Sequence, residues 1–108
     1  RITFYSNDSG KIKGFECRDN SGYAEQGSDI VCAAVSALVI NTINSIEQLT
    51  GTKLKVSSDE DNAFISAFFD EDPSKEAEVL MQSLVLGLQS IESSGETSKY
   101  VDLIFEED

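Results

Sequence analysis

The sequence predicts an α+β fold: a single domain with two helices packed on one mixed or antiparallel sheet, in the order β-β-α-β-β-α-β. Three observations predict it. Five short apolar stretches bounded by turn signals read as strands, and apolar residues recur at helical spacing in two longer ones. Turn chemistry joins the strands in pairs, Asn7-Asp8-Ser9-Gly10 between the first two and Asp59-Glu60-Asp61-Asn62 between the next two. The 108 residues suffice for one modest core, and no linker or repeat divides them.

Taken in order, Ile2 to Ser6 reads as a strand with Ile2 and Phe4 on one face. A hairpin leads to a second strand from about Lys11 to Arg18, where Ile12 is out of step with Phe15 and Cys17 and Gly14 marks a bulge. Cys17 reads as a small core residue on the Phe15 face; a thiol partner for Cys32 is the alternative. Asp19 to Ser28 is the one long irregular segment, and its glycines permit close backbone approach. Its GxxxxG spacing lacks the lysine of a P-loop, so phosphate binding is not expected.

Helix one is expected from about Ile30 to Leu49, capped by Asp29 or Ser28 and stopped at Gly51. Val31, Val35, Leu38, Thr42, Ile46 and Leu49 form its stripe. Ala33, Ala34, Ala37 and Ile40 extend the apolar surface nearly all round, as in a helix buried on most sides or covered by a second subunit. Leu54 to Ser57 is a short strand, and the acidic turn after it lacks the glycine and terminal glutamate of a calcium loop. Ala63 to Phe69 is the next strand. Helix two is expected to open on Asp70-Glu71-Asp72-Pro73, with Asp72 as cap, and to bury Ala77, Leu80, Met81, Leu84, Leu88 and Ile91. Tyr100 to Phe105 is the last strand, followed by a charged tail.

Eight basic residues against twenty acidic ones give a net charge of −12. That surface repels phosphate backbones and anionic membranes and attracts basic peptides, so no nucleic-acid partner is expected. No uninterrupted apolar run approaches the ~20 residues that span a bilayer, and no basic segment precedes an apolar one in the manner of a secretory signal. The expectation is no membrane partner and a cytoplasmic location. Two cysteines make no disulfide framework, which suits a reducing compartment. With no histidine in the chain, no ordinary zinc site is expected, and no cofactor.

Chemistry is expected at Cys32. A thiol near a helix N-terminus is acidified by the free N–H groups there and becomes a better nucleophile. The carboxylate of Asp29 opposes this unless it is engaged by the cap or a cation. Ser36, one turn on, lies on the same helical face and can hold the thiol or a substrate carbonyl, or simply bond back to the backbone.

The run SGYAEQGSDIVCAAVSAL closely resembles the signature of the ribosomal-processing cysteine protease family, in which a GHAGYA-like element precedes G-x-DIVCAAVSAL. The hairpin before it and the strands and helices after it also fit, so the resemblance spans the chain. It implies a homodimeric cytosolic endopeptidase that removes a short N-terminal extension from a large-subunit ribosomal protein. It places Cys32 at the nucleophile, Asp29 and Ser36 at the other polar motif positions, and Gly22, Tyr23 and Ala24 in the second half of GHAGYA, with Gly27 also in the substrate loop.

The first half of GHAGYA departs. Asp19, Asn20 and Ser21 stand where the family has Gly, His and Ala, so Asn20 occupies the place of the dyad histidine, twelve residues before Cys32. An amide does not accept and return a proton near neutral pH, though it can orient a substrate or donate to an oxyanion. An unshifted Asp19 carboxylate is a poor match for a thiol. A slow or inactive natural homologue, a deliberate dyad substitution and an enzyme with a rearranged base all fit. Three changed neighbours favour natural divergence. The functional expectation is a cysteine endopeptidase acting on a basic ribosomal-protein peptide, with a non-catalytic peptide binder as the alternative.

Overall fold

The computed structural model describes residues 1–18, 28–95 and 100–107, apart from the side chains of 28 and 29. Seven elements follow in the expected order: β1 (Ile2–Ser6), β2 (Ile12–Arg18), α1 (Ser28–Thr50), β3 (Leu54–Asp59), β4 (Phe64–Phe69), α2 (Lys75–Glu92) and β5 (Leu103–Glu107). The strands form one sheet in the order β3-β4-β2-β1-β5. Neighbours are antiparallel except β1 and β5, which run parallel, so the sheet is mixed.

Side-chain alternation gives the sheet one buried and one open face. Ile2, Phe4, Phe15 and Ala67 lie in the same core cluster as the inner stripes of both helices. On the other face the Tyr5 hydroxyl donates to Glu16 Oε1 at 2.6 Å, the Tyr5 and Phe68 rings meet at 5.7 Å, and the Arg18 guanidinium lies over the Phe64 ring. The Glu16 hydrogen bond, helped by burial and nearby carboxylate charge, pushes the Tyr5 phenol up to about 12. A raised pKa stabilises the fold below the ordinary phenol value of about 10, and that contribution is lost as pH rises through the raised value. In an absorbance titration of the three tyrosines, one phenol should therefore ionise at about 12, and Glu16→Ala should lower its midpoint.

The β1–β2 register slips between Tyr5 and Ser6, leaving Lys13 as the extra residue of a bulge beside Gly14. Gly14 has a second reason to be glycine: a Cβ there would overlap the Ala67 carbonyl and the Phe68 ring. The hairpin turn is built by Asn7, whose Oδ1 accepts from the amides of Ser9 and Lys11, while Gly10 takes the left-handed conformation. Across the sheet, Asp59 closes the β3–β4 turn by accepting from the Asn62 side chain and the Asp61 and Asn62 amides. The Asn62 hydrogen bond comes first among the causes that hold the Asp59 carboxyl below its usual value.

Four expectations are corrected. β3 runs on to Asp59, since its pairing with β4 continues to Asp59 opposite Phe64. α2 is capped by Ser74, whose Oγ accepts from the Ala77 amide at 3.2 Å, so Asp72 and Pro73 lie before the helix. Ser74→Ala should cost about 1 kcal/mol in a urea titration. β5 starts at Leu103 and takes in Glu106 and Glu107, which pair with Tyr5 and Ser6. The buried stripe of α1 is Val31, Val35, Val39, Thr42, Ile43 and Ile46, with Leu38 partly buried and Leu49 exposed.

Because that stripe covers one side only, Ile30 (74% exposed), Ala33, Ala34, Ala37 and Ile40 (51% exposed) form an outward apolar face. Ile30–Thr50 is also the one helix among the described residues long and apolar enough to cross a membrane, a length the search for uninterrupted apolar runs did not reveal. Here its inner stripe belongs to the core, and Leu38 packs on α2, where a Cβ at Gly87 would lie 3.3 Å from Leu38 Cδ1.

Candidate active site

A crevice of about 400 Å³ lies between the first half of α1 and the sheet. Its walls combine Val31, Cys32, Val35 and Ser36 of α1 with Ile2, Cys17 and Ile65 of the sheet. The antiparallel pairing of Arg18 with Phe64 brings the end of β2 and the start of β4 to the same edge of this crevice. The β3–β4 turn reaches it there through Asp59, Glu60 and Ala63.

Cys32 is half-buried and lines this crevice. At about 100° per residue it falls between Val39 and Ile43 in helical projection, both of which are buried, so it is turned toward the sheet. Ser36 lines the same crevice but is exposed, at the edge of the inner sector. The two residues singled out on α1 are thus brought together on one wall.

The helix starts earlier than the sequence suggests, at Ser28. Ser28 and Asp29 are helical residues rather than the flanking cap, and Cys32 is the fifth residue rather than part of the first turn. Its own amide is then a potential i to i−4 donor within the helix, and the dipole's effect, concentrated in the first turn, is weaker there. Asp29 is placed by its backbone alone. Asp19, Asn20, Gly22, Tyr23, Ala24 and Gly27 lie outside the described residues.

Sequence reasoning did not single out Arg18, Phe64, Ile65, Tyr100 and Val101 as site residues, yet all line the crevice. The signal for the first three is the β2–β4 pairing, which unites segments some fifty residues apart and has no local mark. Among the described residues, no group of three or more histidine, cysteine or acidic side chains is placed to hold a metal ion.

The structure thus places a half-buried thiol on the sheet-facing side of α1, in a crevice whose walls are largely apolar. The model of the cysteine protease Prp family matches residues 1–102, and the chain belongs to that family. It is 33% identical over 91 residues to the ribosomal processing cysteine protease Prp of Bacillus subtilis, covering 81% of this chain and 80% of that protein. Two solved structures of the essential ribosomal processing protease Prp from Staphylococcus aureus share the fold. One, with a covalently linked product peptide, is 26% identical at a TM-score of 0.83, covering 96% of each chain. The other, with a substrate peptide, is 25% identical at a TM-score of 0.84, covering 97% of this chain and 99% of that one.

Proposed function

We propose that this protein is a ribosomal-processing cysteine endopeptidase with an impaired dyad. It binds the basic N-terminal extension of a large-subunit ribosomal protein in the crevice, with Cys32 as nucleophile. The observation that carries the reading is Cys32 itself, a half-buried thiol lining that crevice in a chain of the Prp family. Peptide-bound relatives support a peptide as the occupant. The net charge of −12 suits a basic peptide and disfavours nucleic acid.

In this reading Ser36 holds the substrate or the thiol, and Asp29 helps set the helix start. Asp19, Gly22, Tyr23 and Gly27 belong to the substrate loop, and Asn20 orients the peptide without moving a proton. The outward face of Ile30, Ala33, Ala34, Ala37 and Ile40 suits a homodimer contact, and a chain with two cysteines and no disulfide framework suits the cytoplasm. Sedimentation at twice the 11.8 kDa chain mass would support the dimer, and a monomer at micromolar concentration would refute it.

The absence of any histidine favours a second reading, a peptide binder without turnover. One experiment separates the two. The purified protein is incubated with the ribosomal-protein precursor of its source, and both cleavage and binding are followed. Slow cleavage that Cys32→Ala abolishes supports the enzyme; tight binding without cleavage supports the binder. Neither binding nor cleavage would overturn both.

A further inference from the structure

We propose that the open edge of β3 is a docking edge, on which the stretch of substrate peptide leading away from the crevice adds as a sixth strand through main-chain hydrogen bonds. The inference rests on the reading of the crevice as a peptide site and assigns the path of that peptide beyond it.

β3 is the outermost strand on its side of the sheet, and among the described residues it pairs with β4 alone. The phase of that ladder follows from one bond. The Asp70 amide donates to the Lys53 carbonyl at 3.5 Å. In an antiparallel pair every second residue turns both its N–H and its C=O toward the partner strand. Counting on from Lys53, the residues that face β4 are Lys55, Ser57 and Asp59. Leu54, Val56 and Ser58 therefore present their N–H and C=O groups to the open side. The register runs from Leu54 to Asp59 without a slip, and no proline interrupts it. Bulges and prolines are common means of blunting such an edge. The charge of Lys55 lies on the outer face of the sheet, where it pairs with Asp70 at 3.1 Å.

This edge leads directly into the crevice. Ser58, Asp59 and Glu60 are part of the crevice wall as well as of the end of β3 and its turn. Ser58 lies opposite Ile65, another wall residue, and Val56 lies opposite the buried Ala67, so both point to the crevice side of the sheet. The Val56 side chain is 45% exposed there. An added strand would thus find outward main-chain groups at every second residue and an uncovered apolar side chain beside them. The carboxylates of Asp59 and Glu60 stand where crevice and edge meet, which suits a basic peptide. A second copy of the chain is the other strand that fits such an edge, but nothing in that pairing would use the junction with the crevice.

The test is backbone amide exchange in the unaltered protein, followed by NMR with and without a synthetic peptide. The peptide spans the N-terminal extension of the source's ribosomal-protein precursor and the residues after it. Shifts of the Cys32 and Val35 amides report on the crevice, and exchange at Val56 and Ser58 reports on the edge. Without peptide, Lys55 and Ser57 should exchange slowly and Val56 and Ser58 fast. With saturating peptide, Val56 and Ser58 should slow by about tenfold or more, while Lys55 and Ser57 stay slow. Val56→Pro removes an outward N–H and no bond to β4, so it should keep the fold and weaken the peptide by about fivefold. Crevice shifts without slowing at Val56 and Ser58 would overturn the docking edge and leave the crevice reading intact. Slow exchange at both without peptide, growing with protein concentration, would give the edge to a second copy and overturn the proposal as well. No response at either place would overturn both readings. Exchange in the unaltered protein decides this even if the proline variant fails to fold.

Discussion

Asn20→His should raise kcat/KM for cleavage of the ribosomal-protein precursor by about a hundred- to ten-thousand-fold, the range a positioned general base contributes. In the endopeptidase reading, nothing takes the proton of the nucleophile, which a general base does in a cysteine peptidase. A fifth helical residue also gains less from the helix start than a first-turn residue would. In the same reading the leaving amine lacks a proton donor too, so both halves of acyl transfer would suffer. Histidine at Asn20 restores the family spacing to Cys32 and supplies both transfers. The variant should also acquire an acid limb in its pH profile with a midpoint near the ordinary histidine value of about 6.5. A gain under about tenfold, with the peptide still bound, would sink the idea that the missing base limits the reaction.

The largest expected loss of stability is at Phe15. It is 0% exposed, lies opposite both Phe4 and Ala67 in the sheet, and its ring meets that of Phe4 at 5.8 Å. The core cluster around it draws on both the sheet and the two helices, so the space left by Phe15→Ala is not filled by one side chain moving. The substitution should cost about 3–5 kcal/mol. Domains of this kind have only about 5–15 kcal/mol in all, so the variant should approach unfolding at room temperature. Urea denaturation followed by circular dichroism measures it. A cost below about 1 kcal/mol would mean that Phe4 and Phe105, stacked at 5.6 Å, repack into the gap.

The element order was readable because each element carries a local pattern: Ile2 and Phe4 alternate, and Ala77, Met81, Leu84 and Leu88 keep helical spacing. The bulge beside Gly14 was readable from the phase break between Ile12 and Phe15. The inner stripe of α1 was only half readable. In a helix apolar nearly all round, sequence does not say which apolar residues face the core, and Leu49 was placed inside while Val39 and Ile43 were missed. The cap of α2 was misplaced because Asp72 and Ser74 are both good caps, and only the backbone decides that Ser74 meets Ala77. At the site, Cys32 and Ser36 were readable from one helix face, whereas Arg18, Phe64 and Ile65 enter through strand pairing that no local pattern records.

The parallel pairing of β1 with β5 has a consequence for synthesis. β1 must wait for β5, about a hundred residues later in the chain, before its second edge is occupied, with Ile2 facing Leu103 and Phe4 facing Phe105. Until then β1 offers open backbone groups and the Phe4 ring to any neighbouring chain. Nascent chains on one messenger are therefore at their most adhesive just before Leu103 emerges. Contacts between segments far apart in the chain also slow folding. A chaperone or a low local concentration of ribosomes would matter most in that interval.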